Sequence, residues 1–325
     1  MVELLDSLET NSQIDSYRIE ALIASSGMAS IYRATDLRDN RVVALKFPHP
    51  DMEADPFLFD HFQREAGIGE RLDHPKLMRV LGSERCARNY LVMEWCEGRS
   101  LRKILDEGRI HHDRAIRIAI DVLDALDYIH ANGVVHHDLK PENIMIDAAG
   151  NIKLIDFGIA SNSTAQRLTH ASFKAILGTP NYASPEQVTG KRGDERSDLY
   201  SIGIILYEML TGKLPFSGPS TQEAMNERLL SRPVPPCVVD PSISPQLQEV
   251  ILHALEKDPR NRYPTAHDFV WDLEHLNQVG LENRAELRNR RERKSQLWRN
   301  VLYYSALVLA PVAILLLIIL AGGLR

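Results

Sequence analysis

The chain has 325 residues, 38 of them Lys or Arg and 44 Asp or Glu, with 44% apolar residues, 25% charged residues, 17 Pro and 18 Gly. That mix excludes disordered, collagen-like and disulfide-scaffold proteins, and the length suffices for one large domain or two lobes with a sizeable core. Eight basic residues against two acidic ones follow Asn283, so the chain before that point carries −12, and an acidic body argues against a nucleic-acid partner.

Residues 1–16 read as an N-terminal extension. Acidic and apolar residues alternate from Met1 to Gln13 without a basic start, so no signal peptide is expected. From Tyr17 to Val92 short apolar runs alternate with turns. Tyr17 to Ile23, Ser30 to Ala34, Arg41 to Phe47 and Asn89 to Met93 have the period of two that predicts a small antiparallel sheet. Between them Phe57 to Leu72 is helical in pattern, with Phe59, Phe62, Ala66 and Leu72 on one face. After Gly98 the pattern turns helical. Asp113 is placed to cap a helix that carries Ile116, Ala119, Ile120, Leu123, Leu126 and His130 on one stripe and closes at Asn132-Gly133. A hairpin is predicted from Asn143 to Ile146 and Asn151 to Ile155, turning at Asp147-Ala-Ala-Gly150. Helices follow over Asp198 to Leu210, Thr221 to Leu230, Pro245 to Leu255 and Ala266 to Leu276.

The C-terminal part differs in kind. No residue from Val301 to Gly323 is charged, and about 23 residues at about 1.5 Å each exceed a hydrocarbon core of about 30 Å. Pro311 is compatible with a kinked membrane helix. Trp298, Tyr303 and Tyr304 stand where interface aromatics belong, and the basic stretch Arg288 to Arg299 lies just before them. The expectation is one transmembrane helix over 301–323 behind a basic linker over 278–300, with the N-terminal part on the cytoplasmic side and no domain beyond the membrane. The alternative is a buried soluble helix. The basic stretch also suits anionic lipid headgroups.

The strongest local signal is Val134-Val-His-His-Asp-Leu-Lys-Pro-Glu-Asn143 followed by Asp156-Phe-Gly158. Asp138 and Asn143 lie on the loop that enters the hairpin and Asp156 at its exit, so folding brings three oxygen-bearing side chains together. Such a set suits Mg²⁺, a hard cation that keeps phosphates as co-ligands. Upstream, Val42-Val-Ala-Leu-Lys46 ends an apolar strand in a cation, and Glu65 lies on the following helix; an ammonium held by a carboxylate steadies phosphate oxygens. Cys86, Cys96 and Cys237 have no metal-ligand spacing and read as reduced structural thiols.

With these motifs in this order, the chain from about Tyr17 to about Leu276 resembles the protein kinase superfamily, specifically the serine/threonine kinases of bacterial type. The resemblance implies an α+β bilobal fold, with a small β-rich lobe over 17–97 and a large helix-rich lobe over 98–277, followed by the transmembrane helix. It implies ATP with Mg²⁺ or Mn²⁺ as cofactors and protein Ser or Thr hydroxyls as acceptors. By resemblance Lys46 contacts the ATP phosphates and pairs with Glu65, Asp138 receives the acceptor's proton, and Asn143 and Asp156 hold the metal. Lys140 touches the γ-phosphate and Thr179 favours a Ser or Thr acceptor. Ile23, Ile31 and Ala44 line the nucleotide site, and the hinge from Glu94 to Cys96, after Met93, binds adenine. Glu186 of Ser184-Pro-Glu186 pairs with Arg262, and Asp198 braces the catalytic loop.

Two departures stand out. The family's loop glycines fall on Ala24, Ser26 and Ala29, leaving only Gly27. A Cβ in a left-handed conformation costs about 1–2 kcal/mol, so nucleotide affinity is expected to fall roughly ten- to hundredfold with the chemistry surviving. His137 replaces the arginine that pairs with a loop phosphate in the family. A histidine is charged only in part near neutrality, so phosphorylation of Ser161, Ser163, Thr164, Thr169, Ser172 or Thr179 is expected to matter less. Alternative functions are a membrane scaffold with a kinase fold and little activity, and a phosphotransferase for small molecules. A homodimer and autophosphorylation in trans are further expectations of membrane anchoring.

Overall fold

The computed structural model describes residues 8–26, 29–85, 89–156, 161–162, 180–216 and 221–281. The chain divides into two compact units, Met1–Val279 and Gly280–Arg325. Only Gly280 and Leu281 of the second are among the described residues, and the expected membrane helix over 301–323 lies outside them. Among the described residues no helix is long and apolar enough to cross a membrane.

Alternation of side chains builds the first lobe. Its strands are β1 (Gln13–Ile14), β2 (Tyr17–Ser25), β3 (Ala29–Asp36), β4 (Val42–Pro48), β5 (Val80–Arg85) and β6 (Asn89–Glu94), joined antiparallel in the order β1-β2-β3-β4-β6-β5. Successive residues point to opposite faces of a strand. Val43, Leu45, Tyr90 and Val92 therefore pack with Tyr17, Ile19 and Tyr32 on one face. Ala44, Leu91 and Met93 pack with Met78 on the other. Two helices follow β4, α1 (Pro50–Ala54) and α2 (Pro56–Gly69). α2 covers the second face through Phe62 and Ala66. It approaches β5 so closely that a Cβ on Gly69 would lie 2.2 Å from a Val80 methyl group. The expected helix face is present, although the helix ends at Gly69 and Leu72 is buried beyond it. β5 was not predicted: Gly82, at φ +154°, breaks the alternation and accompanies a register shift against β6.

The second lobe begins with β7 (Arg99–Ser100) and α3 (Leu101–Leu105), which lead into α4 (His112–Ala131). Ala115, Ile118, Ala119, Val122, Ala125, Leu126 and Ile129 are buried on α4, while Ile116 and Ile120 are only partly so. The buried stripe is thus rotated from the predicted one, because α4 packs against two later helices. Its N-cap is His111 without a side-chain bond, rather than Asp113, which lies in the first turn. Gly133 closes the helix at φ +72° as expected.

β8 (Val134–Val135) leads through a loop and a short 3₁₀ turn (Pro141–Asn143) into the hairpin of β9 (Ile144–Ile146) and β10 (Ile152–Leu154). β11 (Ser161–Asn162) pairs with β8. Next come α5 (Pro185–Val188), α6 (Glu195–Thr211), α7 (Thr221–Leu230), α8 (Pro236–Val239), α9 (Pro245–Ala254) and α10 (Ala266–Glu274). α6 is buried from Ser197 to Thr211 and packs on α4 and α9. A Cβ on its Gly203 would sit 2.8 Å from that of Ala254, so this crossing needs a residue without a side chain. Ser244 and Thr265 cap α9 and α10 by accepting from the Leu247 and Asp268 amides.

One ion pair ties α5 to the turn before α10. Arg262 Nη1 and Nη2 each lie 2.7 Å from a Glu186 carboxylate oxygen, Ser197 Oγ donates to the same carboxylate, and the guanidinium lies 4.7 Å from the Tyr200 ring centre. The arginine side chain is fully buried. Removing one member of such a pair strands the other charge out of water. Arg262→Ala should therefore lose about 3 kcal/mol of unfolding free energy, read by urea denaturation as a lower midpoint with an unchanged slope.

Candidate active site

Lys46 stands on β4, flanked by β3 and β6, where its strand partners are Ile31 and Leu91. Its Nζ lies 3.0 Å from Asp156 Oδ1, and its side chain is 12% exposed. Asp156 follows β10 in the left-handed region at φ +68°. A non-glycine residue held there signals a surrounding structure that overrides its preference. The Glu65 side chain, expected to pair with Lys46, lies outside the described residues, as do Phe157, Gly158 and Thr179.

The loop from His136 to Asn143 is organised from beneath by Asp198 on α6. Its buried carboxylate accepts from the His136 amide at 2.9 Å and the His137 amide at 2.8 Å, and His130 Nε2 lies 2.8 Å away. Burial alone would raise its pKa. The His130 bond and the neighbouring imidazoles outweigh it and hold the group at about 2. These contacts hold His137, the residue before Asp138, at φ +64°. Lys140 Nζ lies 2.5 Å from Asp138 Oδ2. Burial raises the Asp138 pKa above its ordinary value and Lys140 pulls it back, leaving a carboxylate more basic than in water.

Asn143 links this loop to Asp156. Its Nδ2 donates to the Asp138 carbonyl at 3.0 Å, and its own carbonyl accepts from the Ile155 amide at 2.8 Å. With Nδ2 committed in this way, Oδ1 is the amide atom with lone pairs to offer a cation. In the described part of the site, the Asp156 carboxylate and the Asn143 amide oxygen are the oxygens that could hold a cation. A cation that retains phosphate and water ligands needs few protein oxygens, so the residues fit Mg²⁺.

On the nucleotide side, Ile31, Trp95, Cys96 and Ile155 are partly buried against Ala44 and Met93, forming an apolar shelf beside Lys46. Ile23 is 50% exposed at the end of β2. Glu94 and Cys96 lie on the segment after β6, with the Cys96 thiol pushed up to about 11 by burial and the Glu94 charge, so it is a poor nucleophile. An apolar shelf that ends in a lysine and in two oxygens able to hold a cation fits a nucleoside triphosphate.

The loop between β2 and β3 corrects one expectation. None of Ala24, Ser26 and Ala29 has positive φ, so these positions carry no left-handed cost. The hairpin is closed locally: the Ser26 amide donates to the Ala29 carbonyl at 2.9 Å, and the Ala29 amide donates to Ser26 Oγ at 3.2 Å. His137 needs a second correction. Burial pushes its pKa down to about 4 against the pull of Asp198, so it is neutral at pH 7 rather than partly charged.

Three residues organise the site through contacts that no motif announces. Gln187 on α5 donates Nε2 to the His137 carbonyl at 2.7 Å. Lys153 on β10 reaches Glu94 Oε2 at 2.9 Å and the Leu77 carbonyl at 3.3 Å, tying the hinge to the strand that precedes Asp156. Arg228 on α7 donates to the carbonyls of Asn181 and Ala183 at 2.6 and 3.0 Å. Only the burial of an arginine in a helix that looks polar could have pointed to the last, and a sequence does not display it.

A sheet lobe and a helical lobe that converge a lysine, two aspartates and an asparagine on one cleft define a bilobal, kinase-like fold. Residues 17–271 match the family described as protein kinase domain, and the chain belongs to that family. It is 38% identical over 264 residues to a probable serine/threonine-protein kinase of Streptomyces coelicolor, covering 79% of this chain and 39% of that protein. It is 38% identical over 265 residues to the serine/threonine-protein kinase PknB of Mycobacterium tuberculosis, covering 80% and 42%. It is 40% identical over 271 residues to the serine/threonine-protein kinase pkn3 of Myxococcus xanthus, covering 79% and 49%. The match spans less than half the length of each relative.

His137 makes a measurable contribution to acid stability. Its pKa falls from the ordinary 6.5 to about 4 on folding, so the unfolded chain takes up a proton that the folded chain refuses. This contribution is fully present above pH 6.5 and is lost as pH falls toward 4. In His137→Gln the unfolding free energy should decline less over that interval than in the wild type, measured by urea titration at each pH.

Proposed function

We propose that this protein is a membrane-anchored serine/threonine protein kinase. The observation that carries the reading is the pairing of Lys46 with Asp156 at 3.0 Å beside that of Lys140 with Asp138 at 2.5 Å, two cation–carboxylate pairs from three segments facing one cleft. ATP with Mg²⁺ or Mn²⁺, when bound, supplies the phosphoryl donor and the charge that balances it. Asn143 Oδ1 and Asp156 would hold the metal, Lys46 would leave part of its contact with Asp156 to meet phosphate oxygens, and Ile23, Ile31, Ala44 and the hinge from Glu94 to Cys96 would hold the base.

Asp138 orients the acceptor hydroxyl and takes its proton as the new O–P bond forms and the bond to the leaving diphosphate breaks. Its raised pKa suits that role. Lys140, held against Asp138, offsets negative charge between acceptor and donor. Thr179 would favour Ser or Thr as acceptor. The relatives' names support protein substrates for this chain.

The uncharged stretch 301–323 and the basic residues before it support an anchor with the kinase part on the cytoplasmic side and contact with anionic lipid. Confinement to one leaflet would favour encounters between copies and hence autophosphorylation in trans.

The full chain should transfer label from ATP to a mixture of Ser- and Thr-containing peptides, and Asp138→Asn should lower the rate by about 10²-fold or more. Transfer to sugars or antibiotics in place of peptides, or none at millimolar nucleotide, would defeat the reading. Deletion of 301–325 should move the protein from the membrane to the soluble fraction after cell lysis.

A further inference from the structure

Gln187 bonds to His137, 50 residues before it in the chain, and to Ser184 at the start of its own helix. It is 3% exposed and sits on α5, directly after Glu186. The Nε2 end donates to the His137 carbonyl at 2.7 Å. The Oε1 end accepts from the Ser184 amide at 2.9 Å and from Ser184 Oγ at 3.0 Å. One neutral amide thus spans from the residue before Asp138 to the segment that ends at Ser184.

Both ends of this bridge are mechanically constrained. His137 is a non-glycine residue at φ +64°, a conformation that persists only when its surroundings hold it. Its amide is held by Asp198 at 2.8 Å and its carbonyl by Gln187, so the peptide next to Asp138 is clamped on both sides. At the other end, Arg228 holds the carbonyls of Asn181 and Ala183, and Ser201 Oγ donates to the Tyr182 carbonyl at 2.8 Å. The Tyr182 hydroxyl donates to Glu208 Oε2 at 2.6 Å. The 181–184 segment is therefore a fixed reference against which Gln187 sets the catalytic loop.

The His137 side chain takes no part in this tie. It is largely buried and neutral at pH 7, and its Nδ1 has no hydrogen-bond partner among the described residues. Nothing in the bridge requires a charged group or a phosphate.

We propose that Gln187 is a positioning residue for phosphoryl transfer, holding the left-handed His137 peptide, and through it Asp138, in register with the acceptor-side segment without a phosphate. The inference rests on the kinase reading above. Loss of the bridge frees the His137 carbonyl to rotate toward ordinary φ and carries the Asp138 carboxylate away from the acceptor hydroxyl, while the nucleotide shelf on the other lobe is untouched.

Two variants of the full chain test this. Gln187→Glu can still accept from Ser184 but sets an acceptor against the His137 carbonyl; Gln187→Met removes both bonds without adding charge. Each should lower kcat for peptide phosphorylation about tenfold or more, with the dissociation constant of a fluorescent ATP analogue unchanged within twofold. Thr265→Ala, which removes the remote α10 cap, serves as the stability control: its Tm should fall with kcat unchanged. Phosphatase-treated wild type should retain its kcat within twofold. Wild-type kcat in both Gln187 variants, or a tenfold loss on phosphatase treatment, would overturn the inference and leave the kinase reading standing. A wild type without transfer would overturn both.

Discussion

The active cleft depends on one buried carboxylate. Asp198 has no exposed surface, and a charge so placed persists only where hydrogen bonds replace the lost water. It receives them from His130 on α4 and from two successive amides of the catalytic loop. Those amides belong to a segment that is neither helix nor sheet, so without Asp198 they would be buried donors without acceptors. The aspartate itself sits near the start of α6, the helix most deeply enclosed in the lobe. The stiffness of the helical core is thereby delivered to Asp138, two residues from the first amide it holds.

The two lobes are joined by a comparable economy of contacts. Segment 76–79, which follows α2, exchanges bonds with β10: the Leu154 amide donates to the Lys76 carbonyl and the Met78 amide to the Leu154 carbonyl. Lys153, on the same strand, reaches across to Glu94 in the hinge. Asn143 holds Ile155, so the strand that precedes Asp156 is bonded on one side to the sheet lobe and on the other to the catalytic loop. A shift of the hinge cannot leave Asp156 in place unless these bonds yield, which couples the hinge edge of the cleft to the end that holds Asp156.

Much of this arrangement was legible in the residues, and the reason is local. Strands such as Val42 to Phe47 announce themselves through alternation, and the order of Lys46, Asp138, Asn143 and Asp156 along the chain reflects a hairpin whose turn chemistry is explicit at Asp147 and Gly150. The pair of Glu186 and Arg262 was visible only through resemblance, since 76 residues separate them. What stayed hidden was contact made by ordinary polar residues across the fold. Lys153 and Arg228 belong to no motif and Gln187 only to the capping box that Ser184 opens, yet each acts on backbone carbonyls or on a neighbour far away in sequence. The burial stripe of α4 was misjudged for a related reason: a helix enclosed by α6 and α10 hides a wider arc than one face packed on a single partner.

The glycine-poor loop shows how a motif mixes separable requirements. Glycine at Ala24, Ser26 and Ala29 would serve either a left-handed backbone or a close approach to phosphate. Ordinary φ at all three removes the first requirement, and the hairpin closes instead through Ser26, whose amide and hydroxyl both engage Ala29. Only the second requirement can then weaken nucleotide binding, through three small side chains that occupy space rather than through strain in the chain. The left-handed penalty therefore does not enter at these three positions, and Lys46, Lys140, Asp138 and Asp156 keep four charges paired in the cleft.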